Sequence, residues 1–458
     1  MRILFHACRG AAVAGVLVSE SLALADGEAP SSIIEHLAED WRTLAAQYET
    51  TPLALSYIDN LKNLGDEQSL IAAGEAFSTF EKRLAVVDET ALNTCDRLDL
   101  DRMRHMTALA ASRAALGAKF RSGDDDIPNT GIADVRNGKA WYRHFLHAWL
   151  GEAVDPDVLF RTGMEELAAA NRRYETLSAS MEARNTQTAE TAQDQYTDES
   201  TIRTAYEERW AIVSENLGRL FRDDYGVAPV MIARSTLGDA LPAAGYYVSD
   251  EQTFYYNVFQ DGYDLSQIDW VFLHEALPGH HFAIQAARLN NPCKSRLPDL
   301  SMYAYIEGWG AYVETLGKPL GLYREDHYEL SALEWDMVRS ARVALDVGMN
   351  YHGWTDEEAL DFWKQEVSGA EHFARREIDR MRRWPAQAVT YKYGAAVFTR
   401  MRERLKTEHG DRFDIRDYHD VALRYGDMPL SSFEALVRER FAEKAQSSDG
   451  RSRLGENP

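Results

Sequence analysis

The feature that most constrains this chain is the segment 274–281, HEALPGHH, which places three histidines and a glutamate around a Pro-Gly pair. A histidine followed by a glutamate on a helix, with a second histidine one turn later, is typical of zinc hydrolases. That second histidine would fall at position 278, where this chain has proline. The segment is therefore a stretched form of a metal-binding helix.

In a regular helix these histidines could not share one metal ion. At about 100° per residue, His280 lies roughly 120° around the helix from His274, and His281 lies about 10.5 Å further along the axis. Zn–N bonds of about 2.0–2.1 Å cannot span that rise. Because Pro278 and Gly279 both disturb helices, we expect a local bulge that brings His280 onto the face of His274. His281 is the alternate ligand.

A second compact acidic element, EGWGAYVE at 307–314, follows the first. Glu307 is the expected third metal ligand, and Gly308 and Gly310 would allow a close approach to the motif helix. Glu314 lies about 10.5 Å further along the same face, which favours a role in orienting a ligand histidine. Glu275, next to a presumed ligand, is the expected general base on a zinc-bound water.

The ordinary alternative is a Pro-Gly pair that ends a helix, with the histidines on a surface turn and no metal bound. Apolar runs at 270–273 and 282–284 flank the motif and predict that it is buried. Buried imidazoles and carboxylates need partners, which favours a metal site.

Five segments together resemble the bacterial domain of unknown function 885 family, whose members look like zinc metallopeptidases. They are HEALPGHH and EGWGAYVE, followed by 339–354 (RSARVALDVGMNYHGW), 385–394 (PAQAVTYKYG) and 137–149 (NGKAWYRHFLHAW). The resemblance runs from about the 130s to the 430s. It implies a gluzincin-like zinc site with one ion per chain, and it agrees with Glu307 as a ligand.

Three downstream residues are candidates to bind the substrate or its transition state. Each has an ordinary alternative: an i, i+4 ion pair with Asp346 for Arg342, a helix-end cap for His352, and a stacked aromatic for Tyr391. The resemblance raises all three above these alternatives. We expect Tyr391 and His352 to serve as oxyanion or leaving-group partners, and Arg342 to bind a substrate carboxylate.

Helical spacing of apolar residues predicts a mainly α fold with a small β-hairpin or sheet beside the active-site helix. The chain is long enough for more than one lobe, and the resemblance implies a two-lobed, metallopeptidase-like architecture. Residues 1–25 are predicted to be a signal peptide, because Arg2 and Arg9 precede a small apolar run and an Ala-Leu-Ala sequence. An ordinary N-terminal helix is the alternative, since Glu20 interrupts the segment. We expect an N-terminal helical lobe at 26–128, a catalytic helical domain at 129–445 and a flexible tail at 446–458.

Aromatic and β-branched runs at 246–248 and 253–258 surround a polar turn and predict a hairpin just before the motif. An edge strand there would hold an extended peptide by backbone hydrogen bonds. Tyr255 and Asn257 are the candidate substrate-binding residues. A generic packing element is the alternative.

The formal net charge of −23 argues against a nucleic acid or an anionic membrane surface as partner. No segment after the signal is long and apolar enough to span a membrane. Cys8 would leave with the signal, and Cys95 and Cys293 either pair in an oxidising compartment or stay free and buried.

The sequence thus predicts an exported zinc hydrolase, periplasmic or secreted, that cleaves amide bonds of short peptides. A metal-dependent amidase acting on a non-peptide substrate would use the same site. A catalytically silent metal- or peptide-binding protein would keep the fold without turnover, although the intact Glu275 argues against it. The position of cleavage in the peptide and the oligomeric state stay open.

Overall fold

The computed structural model describes residues 29–50, 53–123, 126–184, 195–196, 198–222, 225–240, 243–260, 262–298, 301–367 and 373–454, with backbone alone at 195–196 and 446–454. The predicted signal peptide at 1–25 lies outside the described residues. The prediction of a mainly α fold with a small sheet is confirmed.

Helices dominate the chain from end to end. The first eight are α1 Pro30–Gln47, α2 Tyr57–Lys62, α3 Glu67–Ala85, α4 Thr94–Arg121, α5 Gly138–Leu150, α6 Pro156–Ala183, α7 Glu199–Asn216 and α8 Ile268–Glu275. The others are α9 His280–Asn290, α10 Tyr303–Glu314, α11 Asp326–Val347, α12 Asp356–Glu366, α13 Ala374–Arg383, α14 Thr390–His409, α15 Ile415–Arg424 and α16 Leu430–Leu454. A π-helical turn, Gly348–His352, extends α11.

The N-terminal helices pack on one another through an apolar cluster of their own. Ile34 and Trp41 of α1 meet Phe80 of α3 and Leu100 of α4 in this cluster. Polar side chains begin α3 and α4, where Asp66 and Asn93 each accept a hydrogen bond from the backbone of the helix that follows. Burial of one face of each helix and capped ends account for this layer.

A disulfide joins Cys95 in α4 to Cys293, which follows α9. Of the two alternatives that the sequence left open, the structure therefore has the paired cysteines. The bond links the N-terminal helical layer to the segment that follows the histidine motif.

The predicted hairpin is confirmed and is part of a three-stranded sheet. Strands β3 Gly245–Val248 and β4 Thr253–Tyr256 are antiparallel, and β2 Met231–Arg234 pairs in parallel with the other side of β4. The order β2-β4-β3 leaves β2 and β3 at the edges. The short strands β1 Gln195–Tyr196 and β5 Tyr263–Asp264 form a separate antiparallel pair.

The main apolar core crosses the predicted boundary at residue 128. It includes Tyr57 and Phe120 before that position and Trp141, Phe272 and Trp309 after it. Helices α8, α9, α10 and α14 all contribute residues to this core, which surrounds the histidine motif.

Within the described part of the chain, no helix combines the length and apolar character needed to cross a membrane. Helix α16 continues to Leu454, into the segment predicted as a tail from residue 446.

Candidate metal centre

The histidine motif is divided between two helices. Helix α8 ends at Glu275 and α9 begins at His280, with a cis Leu277–Pro278 peptide bond between them. The expected bulge within one continuous helix is wrong, because residues 276–279 separate two helices. The turn is tight: a Cβ on Gly279 would lie 1.9 Å from the carbonyl oxygen of His274. Trp309 of α10 donates a hydrogen bond of 3.0 Å to the Pro278 carbonyl.

This break brings His274, His280 and Glu307 together. Each offers one ligand atom, and the three atoms lie within 4.8 Å of one another. Glu307 Oε2 is 3.4 Å from Nε2 of His274 and 3.4 Å from Nε2 of His280. Two ligands bonded to one tetrahedral zinc at about 2.0–2.1 Å lie roughly 3.3 Å apart, so this donor set fits a zinc ion.

The charges of the cluster also favour a cation. Burial alone would lower the pKa of His274, but hydrogen bonds to Glu307 and Glu314 outweigh it and raise the pKa to about 10. Burial would raise the pKa of Glu307, but hydrogen bonds from His274 and His280 lower it well below its usual range. The carboxylates thus create a negative potential at the point where the ligand atoms converge.

Glu314 lies behind His274 and orients it. The His274 ring donates from Nδ1 to Glu314 Oε1 at 2.7 Å, which leaves Nε2 directed at Glu307. Arg339 of α11 forms a buried ion pair with the other oxygen of Glu314. A carboxylate that fixes the tautomer and direction of a ligand histidine is a common partner of zinc sites.

His281 is directed away from the cluster. Its Nε2 donates to the Ala228 carbonyl at 2.8 Å, and its Nδ1 accepts from the Tyr247 hydroxyl at 3.0 Å. Because both ring nitrogens are engaged and the side chain is fully buried, His281 fixes α9 against β3. Of the two histidines that the sequence left open, His280 is the one that lies with His274 and Glu307.

Glu275 ends α8 beside the cluster. Its Oε2 is buried and has no hydrogen-bond partner within the described residues. Burial raises the pKa of Glu275, while the nearby charges of His280 and His274 lower it. An unpaired buried carboxylate oxygen beside three converging ligand atoms can accept a proton at that point.

Two glycines of α10 make the site possible, and they face different helices. A Cβ on Gly310 would lie 2.5 Å from Cε1 of His274, so the imidazole occupies the space of a missing side chain. A Cβ on Gly308 would lie 2.4 Å from Cα of Gly394 in α14. The expected close approach to the motif helix is therefore made at Gly310, whereas Gly308 contacts α14.

Tyr391, at the start of α14, faces the same cluster. Its ring is stacked on that of His274, with centroids 6.1 Å apart and planes 27° apart. Arg342 lies beside it, with Cζ 5.8 Å from the centroid of the Tyr391 ring. Arg342 does not pair with Asp346 as the ordinary alternative supposed; its Nε donates to Glu377 of α13 at 2.8 Å.

His352 is not brought to the cluster. Its exposed side chain ends the π-helical turn, where Nε2 binds Asp157 of α6 at 2.8 Å and the ring packs on Phe160. These contacts do not support its predicted role as an oxyanion partner.

Tyr255 and Asn257 also have structural partners. The Tyr255 hydroxyl donates to Glu251, and the buried Asn257 amide donates to the carbonyls of Gly238 and Ala243. Tyr255 belongs to β4, the central strand, whose backbone is already paired on both sides. The predicted substrate contacts at these two residues are therefore not supported.

Sequence reasoning missed Arg380 of α13. Its Cζ lies 5.9 Å from the centroid of the Tyr391 ring, and its charge acts on both Tyr391 and Glu307. The available signal was an i, i+4 pair of arginines, 376 and 380, on either side of Glu377. Such a pattern is also typical of a solvated helix face.

Fold and geometry together define a mainly helical protein built around a His-His-Glu cluster. A family model described as "Bacterial protein of unknown function (DUF885)" matches residues 33–437, and the chain belongs to this family. The resemblance seen in the sequence is confirmed. The family description assigns no activity.

Two solved structures share the fold. A protein of Colwellia psychrerythraea is 20% identical with a TM-score of 0.59, covering 90% of this chain and 75% of that chain. One of Shewanella oneidensis is 16% identical with a TM-score of 0.52, covering 92% of this chain and 80% of that chain. Each is described as a "putative lipoprotein", the second as of unknown function. A search of the curated proteins found no match.

Proposed function

We propose that this protein is a zinc-dependent hydrolase that cleaves amide bonds in short peptides. The observation that carries the proposal is the convergence of His274, His280 and Glu307 within 4.8 Å, next to the unpaired buried oxygen of Glu275. Three protein ligands with a base beside them are the composition of a catalytic zinc site, in contrast to the four ligands of a structural one.

His274, His280 and Glu307 would hold one zinc ion per chain. Bound there, zinc would polarise the substrate carbonyl and lower the pKa of water. Glu314 would keep His274 in the tautomer that presents Nε2, and the buried ion pair with Arg339 would hold Glu314 in place.

Glu275 is the proposed general base. It would accept a proton from the attacking water and return it to the leaving amine. The charges of His280, His274 and Glu307 all act on its carboxylate, which supports a position beside the proposed ligands. The partner-free Oε2 is available for this proton.

Tyr391 is the proposed donor to the oxyanion that forms when water attacks the amide. Burial raises the pKa of Tyr391, and the charge of Glu307 raises it further, so the phenol stays protonated at neutral pH. A protonated hydroxyl beside the metal ligands can donate a hydrogen bond to the negative oxygen. This proposal leaves out His352, whose imidazole binds Asp157.

The edge strand β3 is the proposed support for the peptide backbone. It is an outer strand of its sheet, and Tyr247 connects it to α9 through His281 and Gln285. A substrate in extended form can add to such an edge by main-chain hydrogen bonds. This replaces Tyr255 and Asn257 as the expected contact.

Export to the periplasm or the medium completes the proposal. The Cys95–Cys293 disulfide supports it, because such bonds persist in oxidising compartments. The two structures with the same fold, each described as a "putative lipoprotein", agree with it.

Zinc analysis of purified variants tests the ligands. We expect about one zinc per chain in the wild type and severe loss in His280→Ala. His281→Ala is the matched control, since it removes the neighbouring buried imidazole and should weaken folding while zinc is retained. Zinc retained in His280→Ala and lost in His281→Ala would contradict the assignment.

Hydrolysis of a mixed short-peptide library, read by mass spectrometry, tests the reaction. Glu275→Gln keeps volume, so zinc should stay while cleavage falls by at least about 10²–10⁴. Glu357→Gln makes the same chemical change at an exposed position of α12 and should leave cleavage unchanged. Zinc-loaded wild type that cleaves no peptide would refute the peptidase proposal in favour of the non-peptide amidase or the binding protein.

A further inference from the structure

Three arginines surround a single carboxylate next to the metal centre. Arg342 Nε lies 2.8 Å from Glu377 Oε2, and Arg376 Nη2 lies 3.5 Å from Glu377 Oε1. Arg380 is on the same helix as Glu377 and donates to Gln387 at 2.7 Å. We call Arg342, Arg376 and Arg380 the arginine cluster.

Positive charge is in excess in this cluster. Glu377 and Arg342 are 1% and 3% exposed, so their charges are held away from bulk water. Within the described residues, Glu377 is the carboxylate that forms ion pairs with the cluster. One carboxylate does not balance three guanidinium groups, so the arrangement favours an additional negative group. The Arg376 side chain, 36% exposed, is the member of the cluster that meets solvent.

The cluster also has unused hydrogen-bond donors. Nε and Nη2 of Arg376 and Nε of Arg380 are buried without a hydrogen-bond partner within the part of the chain that the structure describes. Arg342 contacts Glu377 through Nε, and this bond does not use its two Nη groups. Guanidinium groups present planar forks that match the two oxygens of a carboxylate.

Tyr391 lies close both to the arginine cluster and to the proposed metal ligand His274. Its ring is 6.1 Å from the ring of His274 on one side, and 5.8 and 5.9 Å from Cζ of Arg342 and Arg380. The path from His274 through the Tyr391 ring to the arginines is at most about 12 Å long. An extended residue spans about 3.5 Å, so a segment of one to three residues can bridge from the ligands to the arginines. Arg339 also approaches Tyr391, but Glu314 neutralises it.

We propose that the arginine cluster binds the C-terminal carboxylate of a short peptide whose scissile amide lies at the metal centre. This deepens the proposed function and rests on it. Water would add its oxygen to the amide carbonyl carbon, the C–N bond would break, and the leaving nitrogen would take a proton. The products are a shortened peptide and a C-terminal fragment of one to three residues.

Binding, measured apart from cleavage, tests this subsite. The protein is zinc-loaded Glu275→Gln, and the probes are two peptides that differ in ending as a free acid or as an amide. Calorimetry should show a preference of about 10- to 100-fold for the free acid, the range for a charged hydrogen bond. Adding Arg380→Gln should remove most of this preference.

Two further variants separate recognition from folding. Arg375→Gln makes the same change at an exposed position of α13 and should keep the preference. Arg376→Gln removes a less buried member of the cluster and should also lower the preference for the free acid. It replaces Arg380→Gln as the test if that variant does not fold. Equal binding of acid and amide by the folded parent protein would overturn the proposal.

The same peptides distinguish failure of the subsite from failure of the hydrolase. Cleavage of both endings at equal kcat/KM by the wild type would leave the hydrolase intact and overturn the carboxylate site. Acid-selective binding without any cleavage would support the site and refute the hydrolase. An amidated peptide with a C-terminal aspartate that binds as well as the free acid would overturn the assignment to the peptide terminus.

Discussion

Replacing Gly310 with alanine should disable the metal centre through one methyl group. The ideal Cβ would lie 2.5, 2.7 and 2.8 Å from Cε1, Nδ1 and Nε2 of His274. Ordinary van der Waals contacts at a Cβ begin at 3.4 Å, so the imidazole must move by most of an ångström. Its hydrogen bond to Glu314 and its alignment with Glu307 would both be lost.

The size of the effect follows from the tolerance of metal sites. Ligand distances in a zinc site vary by only about 0.2 Å, much less than this displacement. Loss of a partner that orients a ligand lowers metal affinity about 10- to 100-fold, and displacing the ligand itself should cost at least the upper end, about 2.7 kcal/mol. Overpacking would destabilise the fold by about 1–3 kcal/mol, partly offset by the helix preference of alanine, up to about 1 kcal/mol.

Competition with a coloured chelator gives the zinc affinity, and urea unfolding of the metal-free protein gives the stability. Gly218→Ala is the control, because a Cβ there meets nothing within 4 Å and should change neither quantity adversely. Gly308→Ala is a second comparison, since its Cβ would meet the backbone of Gly394. This variant should lower the free energy of unfolding, while the molecules that do fold should keep most of their zinc affinity. Wild-type zinc affinity in folded Gly310→Ala would refute the reasoning.

Two other expectations concern buried polar contacts. Glu314→Gln should lower zinc affinity about 10- to 100-fold in the chelator assay, because His274 loses its anionic partner; unchanged affinity would contradict this. His419 donates to the Leu220 carbonyl and accepts from the Tyr312 hydroxyl, and burial lowers its pKa to about 3. The neutral imidazole of His419 therefore contributes its full stability to the fold above pH 6.5. This contribution decreases as the pH falls toward 3, and about 2 kcal/mol of it is lost at pH 5. Urea unfolding measures how much the free energy of unfolding decreases from pH 7 to pH 5. This decrease should be about 2 kcal/mol smaller in His419→Gln than in the wild type, and equal decreases would contradict the prediction.

Residue chemistry alone predicted part of the cluster that forms the candidate metal centre. Imidazoles and carboxylates in two short apolar segments pointed to His274 and Glu307, and the structure brings these residues together. The choice between His280 and His281 could not be made, because it depends on how far the backbone turns. In a regular helix neither histidine could share a metal ion with His274. In the structure the helix ends at Glu275 and a new helix begins at His280.

The failures at the periphery have a different physical origin. His352 binds Asp157, which is 195 residues away in the chain, and no local pattern shows such a contact. Asn257 follows a strand that the sequence predicted, but its amide is used to hold a loop. Arg380 was missed because arginines at i, i+4 spacing also occur on solvated helices. Each outcome is decided by which distant element packs against the residue.

The contact between Gly308 and Gly394 has a mechanical consequence for the site. Glu307 stands immediately before one glycine, and Tyr391 stands three residues before the other. Because the two backbones touch there, α10 and α14 cannot slide past each other without a clash. Glu307 and Tyr391 thus stand on two helices that pack backbone against backbone, which fixes their spacing when the chain folds. Under the proposed function, donors that are preorganised in this way would need no rearrangement when charge develops on the substrate, so motions that admit a peptide should occur outside this helix pair.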